Sequence, residues 1–295
     1  MKKTILKNTI ILVLTAVIIM ISQNSVQAQQ EDTSGAKKVQ KPVRSPWDSD
    51  MLIETQTGVV LPTKTLEFVI QHRFGTINSE TFDLAGIYGA SNIRLGLSYG
   101  LFKNFQIGLG TTKNKKYQDL NWKYKILTQT RSNSMPLSLT YYGNMSFYAL
   151  EDEYFGENYR FADRISYFNQ LIIGRKFSRV VSIQLSVQYS HFNMVDTINL
   201  QGIKHDNFGL GLAGRIKVSP QTSINFEYDQ PLTSPDKIKP NISLGVEIAT
   251  SSHDFQIFVT TYSGIIPQEN LCYNTNDFFK GDILLGFNIT RLWGF

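Results

Sequence analysis

The chain has 295 residues, a formal net charge of +5, a sequence pI near 9.1 and one cysteine, Cys272. A lone cysteine excludes an internal disulfide framework, and His72, His191, His205 and His253 show no metal-ligand spacing such as H-E-x-x-H. No basic stripe with regularly placed stacking aromatics accompanies the positive charge, so nucleic acid is not an expected partner, and no cofactor is implied.

Lys2, Lys3 and Lys7 precede the apolar run TIILVLTAVIIMI, and Val26-Gln27-Ala28 follows it as a small-x-small cleavage pattern. A charged start, a short apolar core and a small-residue exit describe a secretory signal peptide over residues 1–28. Residues 29–50 include Lys37, Lys38, Lys41, Arg44 and two prolines, and carry little apolar surface. Such a composition cannot offset the entropy of ordering, which predicts a disordered periplasmic tail ahead of a single domain over 51–295.

From residue 64 onward the apolar residues recur with period two. In SIQLSVQYSH, Ile183, Leu185, Val187 and Tyr189 share one face and Ser182, Gln184, Ser186, Gln188 and Ser190 the other. KTLEFVIQHRF sets Leu66, Phe68 and Ile70 against Glu67, Gln71 and Arg73. Side chains alternate across a strand, so each such segment has one apolar and one polar or glycine face. The pattern predicts about twelve strands, near 64–74, 92–101, 105–111, 117–127, 136–147, 164–173, 181–191, 206–216, 223–230, 240–248, 253–261 and 282–295. Most approach the roughly 9–11 residues that a tilted strand needs to cross a bilayer.

Connections after odd-numbered strands are mostly longer than those after even-numbered ones, the third and fourth departing from the rule. Short turns on one side and long loops on the other are the asymmetry of an outer-membrane barrel, and an even count returns both termini to the periplasm. Aromatic residues sit in two sets at the strand ends. Phe102, Phe105, Phe177, Trp293 and Phe295 lie beside the short turns, and Phe74, Tyr117, Tyr189, Phe208 and Tyr228 beside the long loops, as two interfacial belts would require. The expected fold is therefore an all-β, antiparallel, up-and-down transmembrane β-barrel of about 12 strands. Outer-membrane lipid is one expected partner. The barrel-insertion machinery is another, reached through a terminal strand that ends on Phe295.

Residues Gly209 to Gly214 spell G-x-G-x-x-G. A dinucleotide loop needs a strand before this motif and a helix after it. Here Gly209, Gly211 and Ala213 alternate with Phe208, Leu210 and Leu212 inside a predicted strand, so the glycines make room on an interior face. No G-x-S-x-G accompanies the serines, and Ser190 and His191 point to opposite faces. No catalytic residue is expected.

Three stretches, QHRFGTIN at 71–78, DLAGIYGASNIRLGLSYGLFKNFQIGLG at 83–110 and KKYQDLNWKYKILTQ at 115–129, form a set with FQIFVTTYSGIIPQE at 255–269 and GDILLGFNITRLWGF at 281–295. Together they resemble a Bacteroidota family of outer-membrane β-barrel domains of unknown function. The resemblance covers nearly all of the chain after residue 50; at Ala85 the family pattern carries a larger residue. It implies a barrel and its location, and brings no ligand or reaction with it.

Strand parity places Glu67, Arg73, Arg94, Gln184, Gln188, Arg215, Glu227 and Glu247 on the interior, with no ring of one sign. They line a narrow path for small polar solutes, or they pair with one another and fill the space, as side chains do in small barrels. The two functions these readings predict are a channel or passive transporter for small polar solutes, and a non-conducting surface or assembly protein acting through loops near 75–91, 148–163, 192–205 and 262–281.

Overall fold

The computed structural model describes residues 40–77, 84–155, 159–195 and 200–295. The signal peptide predicted over 1–28, and residues 29–39 of the predicted tail, lie outside them.

Twelve strands run in chain order: β1 (Thr65–Thr76), β2 (Asn92–Phe102), β3 (Phe105–Thr112), β4 (Tyr117–Leu127), β5 (Ser138–Tyr148), β6 (Ile165–Lys176), β7 (Val181–Phe192), β8 (Asp206–Lys217), β9 (Thr222–Pro231), β10 (Asn241–Ala249), β11 (His253–Thr260) and β12 (Leu284–Gly294). Each pairs antiparallel with its neighbours in sequence, and β1 closes on β12. Closure leaves no free edge, which is what lets a sheet cross hydrocarbon with every ladder bond made. One short helix, α1 (Pro267–Tyr273), lies in the β11–β12 connection.

Burial is inverted relative to a soluble protein. Along β1, Glu67, Gln71 and Arg73 are buried while Leu66, Phe68 and Ile70 are partly exposed. Ile257 is 68% exposed, Leu109 62% and Leu244 54%, whereas Arg73 is 0% and Lys123 1% exposed. Apolar side chains in such numbers stay outside only where the surroundings are lipid, and buried charges persist only where they are partnered. Tyr117 departs from the expected aromatic belt. Its position faces the interior, where it is 1% exposed and meets Tyr148 edge-on at 4.4 Å between ring centroids.

The predicted disordered tail needs correction where the structure describes it. Residues 40–46 run along the β4–β5 connection, with Val43 N–H bonded to Gln129 O at 3.0 Å and Arg131 N–H to Lys41 O at 3.0 Å. Residues 47–61 then turn back into the barrel, where Trp47, Leu52 and Ile53 are each 1% exposed. Thr57 N–H to Asp50 O (2.8 Å) and Leu52 N–H to Thr55 O (3.0 Å) close this segment into a hairpin-like turn. Composition failed here because it weighs only what a segment can bury by itself. The barrel supplies a ready-made wall of donors and acceptors, and the ordering is offset by that partner.

Candidate functional site: a polar lumen filled from both ends

The polar faces of the strands converge on the 47–61 segment. Three acidic residues of the segment each meet a cation of the wall. Asp48 contacts Arg215 at 2.7 Å and Lys217 at 3.1 Å, Asp50 contacts Lys123 at 3.4 Å, and Glu54 contacts Arg73 at 3.1 Å. The segment's backbone is bonded as well. Arg73 and Asn288 both donate to Ile53 O, at 3.0 and 2.8 Å; Lys123 donates to Asp50 O at 2.7 Å; Gln184 donates to Gln56 O at 2.7 Å. Gln106 receives Leu61 N–H at 2.7 Å through its carbonyl and gives its amide N–H to Asp50 Oδ2 at 2.7 Å. A loop without sheet partners can be buried only if its backbone groups find such bonds.

All eight residues expected on the interior lie there, each less than 10% exposed. Arg73, Gln184, Arg215 and Glu227 bind the segment directly. Glu67 lies beside Asp50 and Lys123. Arg94 and Glu247 are held within the wall. Arg94 forms a two-pronged pair with Asp119 at 2.8 and 2.7 Å, and Glu247 accepts from Asn225 at 3.0 Å. Gln188 donates to Asp229, lining the space beyond the segment's tip. Mutual pairing across the wall therefore explains Arg94, whereas Arg73 and Arg215 need acids that a parity count of strands does not contain. Asp48, Asp50 and Glu54 were missed for that reason. The available signal was WDSDMLIET, an acidic and apolar stretch ahead of strands whose inner faces carry unpaired cations.

The other end is filled by the β11–β12 connection. Gln268 of α1 donates toward Asn144, Ser146 and Ser166 of the wall at 3.1, 2.8 and 3.2 Å. Leu271 and Cys272 join Tyr142, Phe168, Ile172 and Phe192 in an apolar cluster. Of the G-x-G-x-x-G glycines on β8, Gly209 serves this packing, Gly211 makes room for wall side chains, and Gly214 makes room for the Phe226 ring on the outer face. A Cβ at Gly209 would stand 2.5 Å from Leu271 Cδ1, and one at Gly211 would stand 2.4 Å from Ser186 Oγ. Lys115, in the β3–β4 connection, holds the helix from above. It reaches Glu269 at 2.7 Å and lies over the rings of Tyr148 and Tyr273. Burial opposes its charge, but Glu269 and Tyr148 outweigh that and raise the ammonium pKa.

The two fillings meet at one side chain. The Glu227 carboxylate accepts Glu54 N–H and Thr55 N–H at 3.1 Å, and also the Tyr262 hydroxyl from the β11–β12 connection at 3.1 Å. Between segment and helix remains a chamber lined by Gln71, Arg94, Asn121, Gln170, Asp229 and Asn270, in which about 50 Å³ is open to the centres of water molecules. That is room for a few waters.

Closed antiparallel strands, an apolar outside and a charged inside define a membrane β-barrel of the outer-membrane type. The chain belongs to the family described as a membrane bound beta barrel domain, DUF5777, which it matches over residues 47–293. The match begins at Trp47, so it takes in the lumen segment together with the strands. No curated protein matches the sequence. Among solved structures, the NanC porin is similar at 7% identity and a TM-score of 0.48, covering 78% of this chain and 99% of that one. An outer membrane channel from Pseudomonas putida F1 is similar at 12% identity and a TM-score of 0.46, with 79% and 97% covered. The KdgM porin is similar at 9% identity and a TM-score of 0.43, with 78% and 99% covered.

Proposed function

We propose that the protein is a gated outer-membrane channel for small polar solutes, closed when residues 47–61 occupy the lumen, and that it carries out no catalysis. In this reading both termini are periplasmic, the lumen segment enters from the periplasm, and the β11–β12 connection folds inward from the cell exterior. One observation carries it: the wall's cations Arg73, Lys123 and Arg215 pair with acids of a segment that is not part of the wall. A barrel built only as a scaffold can satisfy its lumen from its own strands, as Arg94 and Asp119 do. A movable segment that matches the wall charge for charge leaves a hydrated, polar lumen when it withdraws, and the β11–β12 connection must then let solute past.

Planar-bilayer recording of the full chain beside a variant lacking residues 40–60 tests this. The full chain should be mostly silent, with rare openings, and the deletion should conduct persistently. A deletion variant that keeps heat-modifiable mobility, and so a folded barrel, yet passes no current would remove the proposal. The filling of both ends supports a second reading, a non-conducting surface or assembly protein acting through its long loops. That reading predicts the silent deletion variant.

A further inference from the structure

The outer wall at the long-loop end carries a feature that the lumen does not explain. The β3–β4 connection reads Lys113-Asn114-Lys115-Lys116, and its backbone is left-handed at Lys115 (φ 56°) and Lys116 (φ 49°). The turn divides the lysines between two sides. Lys115 reaches Glu269 on α1, while Lys113 and Lys116 are exposed and line an outward groove. The floor of that groove is the lipid-facing surface of β2, with Ile93 and Leu95. Thr111 and Gln118 form its side, bonded to each other at 2.9 Å. These two polar residues stand one rung above Leu109 and Leu120 on the same outer face, where the wall changes from apolar to polar. That change marks headgroup depth.

Lys113 is fixed in place, its ammonium donating to Ser91 O at 3.0 Å and to Ser91 Oγ at 3.3 Å. Among the described residues, neither Lys113 nor Lys116 has a carboxylate within ion-pair distance. The lysines at this rim that do pair with acids, Lys115 with Glu269 and Lys239 with Asp277, do so through the long β11–β12 loop. Two ammonium groups with no carboxylate partner among the described residues, above an apolar strip and with hydroxyl and amide groups between, match a molecule that joins phosphate to acyl chain. Such a molecule can place its anion on the lysines and its chain along Ile93 and Leu95.

We infer that the groove over Ile93 and Leu95, capped by Lys113 and Lys116, is a binding site for a phosphorylated membrane lipid. It requires the barrel to lie in a bilayer, and it holds whether or not the lumen conducts.

Native mass spectrometry of the detergent-solubilised full chain, titrated with diphosphorylated lipid A, tests the site. The unaltered protein should retain the lipid saturably. The double variant Lys113→Ala, Lys116→Ala should bind roughly thirtyfold more weakly, as expected for two lysines at a charged lipid surface. Lys103→Ala, in the turn at the opposite end of the barrel, should bind as the unaltered protein does. Lipid A stripped of its phosphates should be retained no better than by the double variant, and inorganic phosphate in excess should leave retention unchanged. Equal retention by the double variant, an equal loss in Lys103→Ala, or displacement by inorganic phosphate would each overturn the inference. Heat-modifiable mobility of every variant confirms that the barrel compared is folded.

Discussion

The two ends of the lumen are filled by different physics. The 47–61 segment is held by charge and by its backbone, with three acids on four cations and carbonyl after carbonyl on wall side chains, beside a small apolar contact of Trp47 and Leu52 with Ala213. The β11–β12 connection adds a larger apolar cluster, Leu271 and Cys272 packed among Tyr142, Phe168 and Ile172, to the Gln268 hydrogen bonds and the Lys115 and Lys239 pairs. Charge pairs and backbone bonds can be traded for water with little net change, so most of this segment's contacts oppose its leaving only weakly, and Trp47 and Leu52 oppose it more. An apolar cluster has no such exchange. Under the proposed gating the terminus end is the one that moves, and the helix end sets what lies beyond it.

Glu227 is the place to break both at once. Glu227→Ala removes the acceptor from Glu54 N–H, Thr55 N–H and the Tyr262 hydroxyl. Each buried donor so orphaned costs about 1–3 kcal/mol, which makes this the largest expected effect. Hydrogen exchange should accelerate in residues 50–57 and in 261–273 together. Acceleration in one stretch alone would show that the fillings are independent.

Arg73→Ala sharpens the comparison from one side. It leaves Glu54 buried without its cation and Ile53 O with one donor fewer, a loss of about 3–5 kcal/mol by the usual cost of breaking a buried pair. Exchange should rise in 50–57 and stay low in 261–273, and single-channel openings should lengthen. The converse is Leu271→Ala. Truncating a fully buried leucine costs about 2–5 kcal/mol, and here the loss falls on the helix end only. It should loosen 261–273 while the lumen segment keeps its protection.

Much of this architecture is legible in the sequence, and what is not has a common cause. Strand positions follow from period-two patterning because each strand's two environments, lipid and lumen, differ as sharply as they can. Gln184 beside Leu185 states the local rule without reference to any distant residue. Exposure is harder to read. Leu185 is on the outer face yet only 4% exposed, lying level with Ile173 and Leu212 on its neighbours, while Val187 two positions on is 50% exposed. Val187 is therefore the better position for a lipid-facing probe. The lumen side chains could be placed but not partnered, since the acids that meet Arg73, Lys123 and Arg215 sit far away in sequence, in a stretch with no period at all. Periodicity locates walls, and it is silent about what a wall encloses.

The smallest effect is the most informative about the helix end. Lys115 keeps 28% of its side chain exposed, so removing its pair with Glu269 in Lys115→Ala should weaken the latch by about 1 kcal/mol. That is enough to raise the population with α1 displaced by about fivefold. Cys272 reports it, being fully buried, with burial pushing its thiol up to about 12. Only the thiolate reacts with a maleimide. If labelling passes through the displaced state, the thiol there has its ordinary pKa, and the rate should climb with pH and level off above about 8.5. If the reagent reaches the packed thiol directly, the rate should keep climbing toward 12. The expected result is a plateau in the lower range, at a rate about fivefold higher in Lys115→Ala than in the unaltered chain. A continued rise in both proteins would mean that the reagent reaches Cys272 where it stands, and the helix end would then be an open vestibule above the lumen segment.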